Sequence, residues 1–176
     1  MPRHGPALLL VPLGSIAAVA SAQPARATES LVPVFSIAKS ENKNQVQYVV
    51  RVDQQCAPVG PNPVSAYWRM LERGATQTAP ILSREVRAYG LASQVLDSTS
   101  GRVRVVLKAL PDRTLVVTAL RASDGQCHAL ATMPIAGAPA YLFNVYVHIR
   151  WYGVDYVLLQ GWSMDRSRVL REKLKM

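Results

Sequence analysis

The stretch YLFNVYVHIRW (Tyr141–Trp151) decides the fold, because its two kinds of residue alternate almost without interruption. Successive side chains of a strand point to opposite faces, so alternation predicts an extended ribbon with one face buried. One set, Tyr141, Phe143, Val145, Val147, Ile149 and Trp151, is apolar enough to wall a core. The other set, Leu142, Asn144, Tyr146, His148 and Arg150, carries polar tips that need water or a partner.

The pattern repeats along the chain. Val46, Tyr48, Val50 and Val52 oppose Gln45, Gln47, Arg51 and Asp53, and Val103, Val105 and Leu107 oppose Arg102, Arg104 and Lys108. Further strands are predicted in LVPVFSIAK, VSAYWRMLE, LASQVLDS, TLVVTALRA, CHALATM and VDYVLLQGW. Turns fall at SENKN, PDR and SDGQ and at Tyr152-Gly153, with Asp-Gly the strongest short hairpin signal. QQCAPVGPNP, with three prolines and a glycine, is an irregular loop. PILSREVRAYG places Leu82, Val86 and Tyr89 on one helical face between Pro80 and Gly90, which predicts one short inserted helix. The expected fold is all-β: a single antiparallel meander of about eight strands, closed as a small lipocalin-like barrel in preference to a two-sheet sandwich.

The ends read differently. Arg3, the apolar run ALLLVPLGSIAAVA and the small residues ASA have the three-part layout of a secretory signal, with cleavage expected after Ala22. The run is shorter than the roughly 20 residues that span a bilayer, so no transmembrane segment is expected after its removal. The expected organisation is a signal peptide (1–22), a polar leader (23–30), a β domain (31–163) and a basic tail (164–176). The tail is a candidate C-terminal helix packing through Val169, Leu170 and Leu174. Export to a periplasmic or extracellular space makes Cys56 and Cys127, the chain's 2 cysteines, a disulfide.

Net charge is +9, and arginines outnumber lysines. On an exported protein that excess points to anionic surfaces or ligands and away from nucleic acid. Arg51, Arg69, Arg104 and Arg150 sit on the hydrated sides of four strands and would form an anion receptor if they converged. Catalytic signatures are missing: no His-Glu-x-x-His, no Cys-x-x-Cys, no nucleophile elbow and no phosphate loop occurs. Cys127 and His128 are neighbours but point to opposite faces of a strand. An enzyme would need His148 or Asp155 beside a nucleophile in a cleft. No cofactor or metal is expected. The candidate ligand-binding residues are Tyr67, Trp68 and Arg69 after the proline loop, Arg84 and Tyr89 of the helix, and His148 and Arg150. A non-catalytic binding protein for a small or anionic ligand or an envelope component is the expected function. The alternatives are an interaction module using a sheet edge and a hydrolase whose site is not visible in sequence.

SENKNQVQY (Ser40–Tyr48), NPVSAYW (Asn62–Trp68), LSREVRAYG (Leu82–Gly90) and VDYVLLQG (Val154–Gly161) follow one another in an order that resembles a bacterial family of exported proteins, domain of unknown function 4833. The resemblance runs over about Leu31–Gly161 and is weakest at the Cys56 loop and the basic tail. It implies a signal-bearing, β-rich domain with no established activity.

Overall fold

The computed structural model describes residues 29–39, 43–73, 77–151 and 153–175. The signal peptide and most of the leader expected from the sequence lie outside the described residues, as does Tyr152 of the last turn. Among the described residues, eleven strands form one mixed sheet that does not close. They are β1 (Ser30–Lys39), β2 (Gln45–Val52), β3 (Val64–Arg69), β4 (Thr78–Pro80), β5 (Leu91–Asp97) and β6 (Arg102–Leu107). Then follow β7 (Leu110–Arg121), β8 (Cys127–Ile135), β9 (Ala138–Arg150), β10 (Gly153–Ser163) and β11 (Val169–Lys175).

Neither the single antiparallel meander nor the lipocalin-like barrel forms. Chain neighbours do pair antiparallel within β1–β4 and within β5–β11. The two runs join through a parallel step, Ser36–Lys39 of β1 beside Asn144–Val147 of β9. One edge of β9 is taken by β10, so β8 and β1 share its other edge, one after the other along its length. The sheet therefore branches at β9 into a β1–β4 wing and a β5–β8 wing. These wings enclose one core, in which Val46, Tyr48 and Val50 of the first join Val103, Val105, Leu115 and Val117 of the second. Burial of about 1.5–3 kcal/mol per large apolar side chain supplies the driving force.

Covalent and polar ties also cross between the wings. Cys56, in the proline loop, is disulfide-bonded to Cys127 at the start of β8, with their Cα atoms 5.4 Å apart. The buried Tyr48 hydroxyl donates to the Tyr89 carbonyl at 2.5 Å. The Gln94 side chain of β5 bonds the backbone of Val64, the first residue of β3.

The faces of β9 differ from strict alternation. Leu142 and Val145 are buried at 3% and 1% exposure, whereas Phe143 is 38% and Trp151 95% exposed. For Leu142 and Phe143 the cause is a bulge: Asn144 pairs with Gln160 and Leu142 with Gly161, which leaves Phe143 unmatched, while Trp151 lies past the end of β9 in the turn. One extra residue exchanges the two faces, so Tyr141 and Phe143 turn outward with Tyr146 and His148. Gly161 permits this arrangement, since a Cβ there would stand 2.6 Å from Ile135 Cδ1 and 2.7 Å from the Tyr141 carbonyl oxygen. The Ile149 side chain is outside those described.

Three local expectations also change. The β6–β7 turn is Lys108-Ala109 and not PDR, because Leu110 is buried and pairs with Leu107. The helix shrinks to one turn, α1 (Val86–Tyr89), with Pro80 held in β4 and Leu82 exposed. The tail is no helix. It continues the sheet as β11, with Leu170 and Leu174 against the core and Glu172 between them. Glu172 earns its inward position by ion pairing with Arg113 at 2.6 Å and accepting the Ala136 amide at 2.8 Å.

Candidate functional site

Alternation on β3 separates the residues singled out after the proline loop. Trp68 is buried toward the core, while Tyr67 and Arg69 take the opposite face of the strand. Trp68 meets Tyr89 edge to face, with centroids 5.3 Å apart, and its indole N–H donates to Glu85 at 2.8 Å. The same carboxylate accepts the Leu82 amide at 3.0 Å, holding the turn before α1. Burial, with the Glu85 charge second, raises the Tyr89 phenol above its ordinary pKa and keeps it neutral. A cavity of about 280 Å³ opens beside this group, lined by Trp68, Met70, Leu82 and Glu85. It offers a carboxylate where the sequence suggested arginines, and Arg84 stands exposed in the preceding turn. Trp68 and Tyr89 come together; Tyr67, Arg69 and Arg84 do not line their cavity.

The four strand arginines are also divided. Arg51 and Arg69 belong to one wing and Arg104 to the other, while Arg150 lies on the shared β9. Arg51 is engaged by Glu29 at 3.6 Å.

His148 and Arg150 stand in richer surroundings. Beyond the bulge, β9 turns Asn144, Tyr146, His148 and Arg150 outward. Register places Tyr156, Leu158 and Gln160 of β10 alongside them, and then Lys175, Lys173 and Arg171 of β11. A second bulge, with Val154 opposite Ile149 and Tyr156 opposite His148, leaves Asp155 unmatched and aims it at this face. Its carboxylate forms an ion pair with Arg150, 3.1 Å from Nε, and lies 3.2 Å from His148 Nδ1. That Nδ1 is buried and, among the described residues, has no aligned hydrogen-bond partner; the contact is a charge contact when the ring is protonated. The His148 ring stacks on Tyr156 at 4.7 Å, and Tyr146 tilts against the same tyrosine at 6.4 Å. Lys173 Nζ sits 3.9 Å from the Tyr156 centroid. Such an exposed cation–π contact contributes about 0.5–1 kcal/mol.

The outer face of β9–β11 thus joins an aromatic strip to a row of cations, and Asp155 is the carboxylate set among them. Arg171, Lys173 and Lys175 are all exposed, and strand geometry spaces them about 6.8 Å apart. A polar relay flanks the strip, with Ser36 donating to Asn144 at 3.4 Å and Asn144 to Gln160 at 2.8 Å. Among the described residues no Ser or Cys side chain is hydrogen-bonded to His148, and no three His, Cys, Asp or Glu side chains gather as a metal site. No helix of the described residues is long and apolar enough to cross a membrane.

Alternation already set Tyr146 on one face with His148 and Arg150; Tyr156 and the β11 cations were missed as their neighbours. The usable signal was the alternation in VLREKLK, which sets Arg171, Lys173 and Lys175 on one side if the segment is a strand.

No curated protein and no solved structure matches the chain. A family model does match, over residues 35–173, and it runs through the Cys56 loop and most of the basic tail. The chain belongs to the family described as domain of unknown function (DUF4833).

Proposed function

We propose that this is an exported, non-catalytic binding protein whose outer β9–β11 face holds an extended anionic polymer of the cell envelope. One observation carries the reading: Arg171, Lys173 and Lys175 follow one another at even spacing beside an aromatic strip, with Lys173 anchored on Tyr156. Evenly spaced cations suit a polymer with a repeating charge, and aromatic rings next to them take the uncharged parts of each repeat. Export is supported by the signal-like Met1–Ala22 segment and by the Cys56–Cys127 disulfide, which suits an oxidising compartment.

Charged residues on an edge strand also serve to block edge-to-edge pairing. That role alone would not call for Tyr146, His148 and Tyr156 in one outward row. It weighs against a partner that adds a strand at β11, since lysines obstruct such pairing.

Calorimetric titration with polyphosphate and with a neutral dextran separates binding from simple edge protection. Polyphosphate binds and weakens steeply with salt, as counterion release requires, and R171A/K173A/K175A lowers its affinity at least tenfold. Equal binding by the triple variant overturns the assignment.

A further inference from the structure

A second feature lies on the outer surface of the other wing. Two adjoining depressions, about 520 and 360 Å³, share Leu130 and Tyr141 and together run over the outer faces of β6 to β10. Of the ten exposed large apolar side chains among the described residues, four line this cleft: Leu120, Phe143, Trp162 and Met164. Chance scatter would distribute them over the surface, and contiguous apolar surface marks an interaction site.

Backbone irregularities converge here too. The β9 bulge turns Phe143 outward onto Trp162, their centroids 6.0 Å apart. Arg166 holds a left-handed backbone at φ 58°, unusual for a side chain with a Cβ. Asp165 fixes that turn by accepting the Ser163 hydroxyl at 2.5 Å, the Ser167 hydroxyl at 2.8 Å and the Ser167 amide at 3.1 Å. The result sets the Arg166 guanidinium 5.4 Å above the Tyr141 ring, at the aromatic end of the cleft. A strained residue held by its surroundings at a depression is a mark of function.

The lining selects the ligand class. Val116, Leu120, Leu130 and Met164 make an aliphatic strip, bordered by Arg102, Thr118 and Thr132, whose hydroxyl donates to the Val116 carbonyl at 3.3 Å. The aromatic end offers a guanidinium, which suits a carboxylate or phosphate. We propose that the cleft binds a single-chain anionic amphiphile, with its aliphatic tail over Leu120, Leu130 and Met164 and its anionic head at Arg166. This site is separate from the cationic row of β11.

Decanoate, kept below its micelle concentration, is the probe, read by Trp162 fluorescence and by calorimetry. The expected result is saturable one-to-one binding, at least tenfold weaker for decanol and for Arg166→Gln, and unchanged in R171A/K173A/K175A. Leu130→Gln blocks the tail and abolishes binding, and circular dichroism verifies that each variant is folded. The decanoate–decanol comparison on the unaltered protein stands even if a variant misfolds. Equal binding of decanol, or loss of decanoate binding in the β11 triple variant, overturns the proposal. So does binding to anionic vesicles with no binding of the monomer, which would make the cleft a membrane-docking face. Concentration-dependent self-association abolished by Trp162→Gln overturns it in favour of a second copy of the chain.

Discussion

Gln94 completes both backbone hydrogen bonds of Val64, accepting from its N–H at 2.9 Å and donating to its carbonyl at 3.1 Å. A side-chain amide thus does at the open seam what a neighbouring strand would do in a closed barrel. Gln94→Ala leaves the part-buried Val64 groups without that partner and costs about 1–3 kcal/mol. Gln94→Glu keeps the acceptor and loses the donor, and falls between. Urea unfolding monitored by circular dichroism measures the order.

The disulfide joins residues separated by 71 positions and spans the two wings. Chain entropy assigns such a closure about 4 kcal/mol. Cys56→Ser with Cys127→Ser lowers the unfolding free energy by that order, and reducing agent has the same effect on the native chain but none on the double variant.

Acid weakens the fold through its hydrogen-bonded carboxylates. The Ser163 hydroxyl first, then the Ser167 amide and hydroxyl, hold Asp165 at a pKa of about 2 against an ordinary 3.8. Glu172 is also lowered: burial works the other way, and the Ala136 amide and Arg113 outweigh it. Both groups are more acidic in the folded than in the unfolded chain. Their stabilisation is full above the ordinary carboxylate range and is lost as pH falls through the folded values. The melting temperature therefore drops from about pH 4 to about pH 2, and more gently in Asp165→Asn.

Gly161 lies where β9 bulges, too close to Ile135 and Tyr141 for any side chain. Gly161→Ala forces the hairpin apart and costs about 1–3 kcal/mol. The same variant disturbs the Phe143–Trp162 contact, so tryptophan emission shifts along with stability.

Period-two alternation located β2, β6, β8 and β10, because each buries one regular set of side chains or both. It failed on β9 because a single bulge exchanges the faces at Phe143, and no local pattern announces where an extra residue will be inserted. On β11 the ambiguity is arithmetic: Leu170 and Leu174, four apart, share a face in a helix and in a strand alike. Only the pairing with β10 and the inward Glu172 decide it. The parallel contact of β1 with β9 joins residues 108 positions apart, from Ser36 to Asn144, and leaves no local trace. The candidate site was partly legible for the same reason. His148 and Arg150 could be placed on an outward face, but Asp155 reaches them through a second bulge and the lysines arrive from a tail read as helical.

On the proposed function, the outer face of β9–β11 receives an anionic polymer. Amide chemical-shift mapping by NMR, with polyphosphate titrated into the oxidised protein, tests it most directly. Binding at this face gives saturable shifts concentrated at Tyr146, Tyr156, Arg171, Lys173 and Lys175. Shifts spread evenly over Arg51, Arg84 and Arg104, with none concentrated on β11, would contradict it.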